Sequence, residues 1–158
     1  MADYEFLTAW LVEAPIERVW DELFDVAAWP QWWKGVTDAR ELEAGGPDGV
    51  GKVFTISWRS FLPYDLSFVT TVTEVEKPNL MQGSAVGELT GTGRWRLFHD
   101  GGVTAVTYEW DVRTTKAWMN ALAPLARPIF EWNHDYVMRR GGEGLKIRLR
   151  RVMNLPSG

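Results

Sequence analysis

The chain has 158 residues, a formal net charge of −4, 46% hydrophobic residues and no cysteine. This length predicts one domain, residues 1–158, with a sizeable core, and the lack of cysteine excludes disulfides, thiolate metal sites and a cysteine nucleophile. No apolar run approaches the 18 or so residues that span a membrane and the N-terminus lacks a signal-peptide pattern, so a cytoplasmic protein without stable membrane insertion is expected.

The first part of the chain predicts a strand followed by two short helical segments. Tyr4 to Glu13 is rich in aromatic and branched residues, which is typical of a strand. Ala14-Pro15 ends this strand, and Ile16 to Phe24 then has helical spacing of its apolar residues. Trp29 to Trp33 predicts a second short helix or a tight turn, because Pro30 limits its length.

From Val36 onward the pattern changes to that of β-structure. In the segment Val103–Arg113, for example, apolar residues alternate with polar ones, which is typical of a strand with one buried and one wetted face. Turn residues such as Asp100-Gly101-Gly102 separate the segments. Six strands are predicted in this region: Val36–Leu42, Lys52–Arg59, Tyr64–Glu76, Leu80–Val86, Gly91–His99 and Val103–Arg113.

The C-terminal segment from Pro128 to Val152 predicts a long helix. Its charged residues recur every three or four positions, which places them on one solvated face. Gly141 and Gly144 lie on the opposite, inward face, where a missing side chain allows close approach of another backbone. The alternative is a break at Gly141-Gly142.

The segment before this helix, Thr114 to Arg127, is predicted to be partly helical. Pro124 and Pro128 predict a break or kink ahead of the main helix. The resulting order is one strand, two short helices, six strands and a long terminal helix. This order indicates an α+β fold in which a curved antiparallel sheet of six or seven strands packs against one helix.

Basic residues are concentrated at the C-terminal end. Residues 139–151 carry a local charge of +5, which leaves −9 for the remainder. Such a patch could contact phosphates, but the negative end of a helix dipole favours cations in the same place. Because no nucleic-acid-binding motif accompanies the patch, we expect no nucleic-acid partner.

The N-terminal motif resembles that of a known superfamily. Ala14-Pro15, Val19-Trp20, Leu23, Asp25 and Trp29-Pro30-x-Trp32 resemble the opening of START-like (SRPBCC) proteins, specifically the polyketide cyclase/dehydrase and lipid-transport family. The resemblance implies a helix-grip fold with a deep apolar cavity between the sheet and the C-terminal helix. It also implies binding of lipids, steroids, polyketides or other hydrophobic molecules, with cyclisation or dehydration in a minority of members.

Aromatic side chains are the strongest indication of a site. The chain has ten tryptophans, and such an excess is typical of an oversized aromatic core or of a cavity for an apolar ligand. On the inward faces of successive strands the candidate ligand-binding residues are Trp58, Tyr64, Phe68, Trp95, Tyr108 and Trp110. The alternative is a packed core without a cavity. The tryptophans at positions 10, 20, 29, 32 and 33 are expected to brace the short helices.

In a helix-grip fold, the early turns of the long helix would cover the cavity, with Phe130, Asn133, His134 and Val137 as further candidate ligand-binding residues. A neutral His134 imidazole could act there as a base or donor; alternatively, it is hydrogen-bonded to a neighbouring strand or loop. Asn133 is either a satisfied polar group of the core or a contact to a ligand oxygen. We find no catalytic triad, phosphate loop or metal-ligand spacing, so no metal and no cofactor are expected.

The leading hypothesis is a binding module for a small hydrophobic ligand, lipid-like or aromatic, in a pocket of roughly 300–1,000 Å³. The alternative is a metal-free cyclase/dehydratase-type enzyme that uses polar groups of the same cavity, and the third is a protein–protein adaptor. One or two polar groups in the cavity would favour binding, and a polar cluster with shifted pKa values an enzyme. A large exposed apolar patch would favour the adaptor. The sequence leaves the oligomeric state open.

Overall fold

The computed structural model describes residues 3–59 and 65–153, except for the side chains of Ala123 and Ala126. A curved seven-stranded antiparallel sheet and one long helix dominate the fold, which confirms the predicted helix-grip architecture. In chain order the elements are β1 (Asp3–Val12), α1 (Ile16–Phe24), a 3₁₀ helix (Val26–Gln31), β2 (Val36–Glu43), β3 (Val53–Arg59), β4 (Asp65–Glu76), β5 (Leu80–Gly87), β6 (Leu89–Asp100), β7 (Val103–Thr114) and α2 (Ala117–Val152).

The strands follow the order β1-β7-β6-β5-β4-β3-β2, so the first strand pairs with the last. All six pairings are antiparallel, and β6 and β7 pair from Leu89 opposite Thr114 to Asp100 opposite Val103. The alternation predicted for β7 is present, because Val106, Trp110 and Val112 are buried. One face of the sheet therefore supplies the core that meets α2.

The short helical segments close one end of the sheet. Helix α1 buries Val19, Trp20 and Leu23, as its helical spacing predicts. The 3₁₀ helix contains Pro30, and the Trp29 Nε1 group donates a hydrogen bond of 3.1 Å to the Leu23 carbonyl. This hydrogen bond fixes the orientation of the Trp29 indole ring.

Helix α2 is longer than the sequence predicts. It is continuous over 36 residues and includes Pro124 and Pro128, so the predicted helix break is wrong. Each proline lacks the N–H that would bond to the carbonyl four residues earlier. Both prolines are exposed and lie four residues apart on the same side, where water can reach the freed carbonyls. The missing hydrogen bonds therefore do not end the helix.

Gly141 and Gly144 of α2 are positions of close approach, as predicted, and the helix does not break there. Gly142 is a further such position, which was not predicted. A Cβ at Gly141 would lie 2.7 Å from the Trp33 Nε1 atom, and one at Gly142 would lie 2.9 Å from the Trp10 ring. At Gly144 the obstructing group is the backbone carbonyl of Trp32. The helix therefore rests directly on the segment that follows the 3₁₀ helix.

One basic residue near the end of α2, Arg148, has structural partners. Arg148 donates hydrogen bonds to the carboxylate of Glu22 at 3.2 Å and to the side-chain carbonyl of Gln31 at 2.9 Å. Arg150 and Arg151 lie in the last turn, where the helix dipole stabilises cations. This end of α2 is thus tied to α1 and to the 3₁₀ helix. Within the described ranges, neither helix has an apolar stretch able to span a bilayer.

Candidate functional site: an apolar cavity beneath the long helix

A cavity lies between the concave face of the sheet and the middle turns of α2. Its volume is about 160 Å³, which is smaller than the predicted range of roughly 300–1,000 Å³. Large aromatic rings account for the smaller volume of the cavity. Trp29 and Trp33, which the sequence suggested would only brace the short helices, also line the cavity and occupy space beneath it.

The cavity lies where the hydrophobic core is divided. One cluster of buried residues surrounds the tryptophans of the 3₁₀ region, and the other contains Tyr4, Phe68, Trp110 and Phe130. Trp58 and Tyr108 pack against both clusters. The two clusters therefore meet across the cavity rather than interlocking into one continuous core, which answers the alternative of a core without a cavity.

The structure brings most of the predicted site residues together. Those that line the cavity are Trp58, Phe68, Trp95, Tyr108, Trp110, Phe130, Asn133, His134 and Val137. Tyr64 lies outside the described residues. The inward faces of β3, β4, β6 and β7 supply the ring walls, and α2 supplies Asn133 and His134.

Several lining residues were not among the sequence candidates. Tyr4 and Phe6 of β1 reach the cavity, as do Leu89 and Met119. The alternation of β1 places Tyr4 and Phe6 on one face. A prediction that β1 pairs with β7 would therefore have identified both as cavity-lining residues. Met119 could not have been found, because it precedes the prolines and was not placed in the long helix.

Stacked aromatic rings form a continuous wall along β6 and β7. The Trp95 and Tyr108 rings stack with centroids 4.0 Å apart, and Tyr108 stacks in turn on Trp110 at 5.8 Å. Burial raises the pKa of Tyr108 far above its usual value, so its hydroxyl group stays protonated at all ordinary pH values. The wall is therefore uncharged and presents ring faces and edges.

Four residues of the cavity have a buried polar atom without a hydrogen-bond partner in the described part of the chain. These atoms are the Tyr4 hydroxyl oxygen, Trp58 Nε1, Asn133 Oδ1 and His134 Nδ1. Asn133 is only 7% exposed. A buried polar atom without a partner costs about 1–3 kcal/mol, so such a group in a folded protein calls for an explanation.

His134 is held as a neutral imidazole. Its ring stacks on Phe6 with centroids 3.8 Å apart. Burial lowers the pKa of His134 to about 4, and the Asp135 carboxylate opposes this shift only in part. That carboxylate is 3.8 Å from Nδ1, which is too long for a hydrogen bond. Nδ1 therefore does not make the strand or loop hydrogen bond that the sequence left open for His134.

The cavity has no fixed charge. Among the described residues that line it, none is Lys, Arg, Asp or Glu. In the same part of the chain, no three His, Asp or Glu side chains come together to hold a metal ion. The chemistry available to a bound molecule is thus hydrogen bonding to neutral groups and contact with aromatic and aliphatic walls.

The fold and this cavity define a helix-grip protein with an internal apolar site. Residues 8–150 match the family described as polyketide cyclase/dehydrase and lipid transport. The chain belongs to this family, as its N-terminal motif suggested. A comparison with curated protein sequences returned no match.

Solved structures share the fold at low sequence identity. The Zhui aromatase/cyclase from a Streptomyces species is 18% identical with a TM-score of 0.78, and 96% of each chain is covered. A START superfamily protein from Mycobacterium smegmatis is 15% identical with a TM-score of 0.76, covering 94% of this chain and 98% of that one. The di-domain ARO/CYC BexL is 17% identical with a TM-score of 0.72; 91% of this chain matches, but only 49% of BexL. The chain thus spans about half the length of that relative.

Proposed function

We propose that the protein binds a small hydrophobic molecule in the cavity between the sheet and the middle turns of α2. The observation that carries this proposal is an apolar cavity whose lining residues include four that each have a buried polar atom without a protein partner. A bound molecule with suitable polar groups would pair with these atoms and fill the gap between the two core clusters. Both effects favour binding, because unpaired polar groups and empty volume each destabilise the folded state.

Loss of the Asn133 amide is expected to weaken ligand binding. In Asn133→Ala the free energy of ligand binding should become less favourable by about 0.5–1.5 kcal/mol, the net contribution of one hydrogen bond. Binding can be followed by tryptophan fluorescence, because Trp58, Trp95 and Trp110 line the cavity. Native mass spectrometry of freshly purified protein would identify a retained ligand.

The matched control is Glu131→Ala, which alters an exposed residue two positions earlier on the same helix. This variant should bind as the unmodified protein does. A full panel of lipids and aromatic compounds without any fluorescence response, together with no co-purified molecule, would contradict the proposal.

A second candidate is a cyclase or dehydratase acting on a polyketide. The description of the family suggests it, and two structural relatives are named as aromatase/cyclases. The four unpaired polar groups, one of which is a neutral imidazole, favour it, since binding alone would need fewer. Two observations weigh against it: a His134 pKa of about 4 makes the imidazole a weak base, and about 160 Å³ is little space for a long polyketide. Simple binding is therefore preferred.

An activity measurement separates these two functions. If the protein is an enzyme, His134→Gln should reduce turnover of a linear polyketide about 10²–10⁴-fold with little change in affinity. Absorbance of the cyclised product is the readout. If the unmodified protein gives no product above the rate in buffer, the enzyme hypothesis is wrong and the binding function remains.

The adaptor hypothesis has one supporting feature. The first half of α2 exposes apolar side chains spaced three and four residues apart, namely Trp118, Leu122, Leu125, Ile129 and Trp132. Such a stripe is typical of a helix face that meets another apolar surface. We nevertheless prefer ligand binding, because the cavity combines apolar walls with polar atoms that lack protein partners.

A further inference from the structure

The properties of the cavity define the chemical class of its ligand in more detail than the proposal of a small hydrophobic molecule. We propose that the ligand is an uncharged, single-ring aromatic molecule that carries a hydroxyl group, as a cresol does. This inference rests on the proposed binding function and concerns the same cavity. Four properties of the cavity support it: the charge of its lining, its volume, the roles of its unpaired polar atoms and the shape of its walls.

The lining excludes a charged ligand group. None of the described lining side chains is Lys, Arg, Asp or Glu, so a carboxylate, phosphate or ammonium group would have no counter-charge. Transfer of an isolated ion from water into such a site is strongly unfavourable. His134 cannot provide a cation at neutral pH, because its buried imidazole is uncharged there.

The volume favours one ring. About 160 Å³ is close to the roughly 150 Å³ of an engineered cavity that binds benzene. The walls resist expansion, because Trp95 packs on Tyr108 at a centroid distance of 4.0 Å and Phe6 packs on His134 at 3.8 Å. A molecule with three fused rings would have to separate such contacts, and densely packed cores tolerate extra volume poorly.

The lining residues have unpaired polar atoms of both kinds, donor and acceptor. Asn133 Oδ1 can only accept a hydrogen bond, and Trp58 Nε1 can only donate one. The Tyr4 hydroxyl can do either. A hydroxyl group on the ligand matches this set, since the same oxygen can donate to Asn133 and accept from a neighbouring donor. The stacked rings along β6 and β7 then present an aromatic surface to a planar ring.

A series of four compounds tests the proposal by calorimetry on the intact chain. Para-cresol should bind, and toluene should bind about 2- to 10-fold more weakly, because it lacks only the hydroxyl group. Para-toluate should not bind, because it carries a charge. Anthrol should not bind, because its three rings exceed the cavity.

A variant tests the assigned polar contact. Asn133→Leu removes the acceptor while keeping the side-chain volume similar, so it should abolish the preference for para-cresol over toluene without weakening toluene. Glu131→Gln, on the exposed side of α2, should leave the whole series unchanged. If Asn133→Leu fails to fold, the order of affinities of the unmodified protein still decides the matter.

The outcomes separate this inference from the proposed function. Binding of anthrol or para-toluate in preference to para-cresol, or equal affinities for para-cresol and toluene, would overturn the inference and leave a hydrophobic binding site in place. If none of the four compounds binds, and longer lipids do not bind either, both the inference and the proposed binding function are contradicted.

Discussion

Gly144→Ala is expected to lower the free energy of unfolding by about 2–3 kcal/mol, the cost of overpacking a tight contact. At an exposed helix position the same change would stabilise the protein by up to about 1 kcal/mol, because alanine favours the helix more than glycine does. At Gly144 the new methyl group would collide with the backbone carbonyl of Trp32. A backbone group cannot rotate away as a side chain can, so either α2 or the preceding segment must move.

Urea denaturation of three variants would test this contact. Gly142→Ala should cost less than Gly144→Ala, because its Cβ meets the Trp10 side chain at 2.9 Å rather than backbone. Glu143→Ala lies between them on an exposed position and should change stability by less than about 0.5 kcal/mol. If Gly144→Ala were as stable as the unmodified protein, α2 would not rest on the Trp32 carbonyl.

The same glycines show what the sequence could predict. The position of Gly141 and Gly144 on the inward face follows from counting 100° per residue, so their close approach could be inferred before the partner was known. The identity of the partner could not, because Trp32 is 112 positions away along the chain. Helix continuity through Pro124 and Pro128 was also missed, since it depends on the exposure of those residues.

The site, like the fold, was predicted only in part from the sequence. Alternation along β3, β4, β6 and β7 identified the aromatic side chains that face inward, and helical spacing identified Asn133 and Val137. The cavity volume depends instead on how far neighbouring rings fill the space. The sequence assigned Trp29 and Trp33 to bracing alone, so it overestimated the volume that remains.

The second large effect expected is a pH-dependent loss of stability that originates at His134. Its pKa is about 4 in the folded protein and about 6.5 in an unfolded chain. Above pH 6.5 the imidazole is neutral in both states, so stability is fully present. As the pH falls from 6.5 to 4 the unfolded state binds a proton that the folded state does not, and the folded state loses stability. Between pH 8 and pH 4.5 this amounts to about 2–3 kcal/mol.

His134→Phe isolates this contribution, because phenylalanine keeps a ring against Phe6 but cannot bind a proton. Other titrating groups affect both proteins alike, so the difference in unfolding free energy between the unmodified protein and His134→Phe is the quantity to measure. Relative to the variant, the unmodified protein should lose about 2–3 kcal/mol between pH 8 and pH 4.5. A constant difference over this range would mean that the imidazole reaches water and titrates normally. It would then not be the neutral, buried group that the cavity geometry requires.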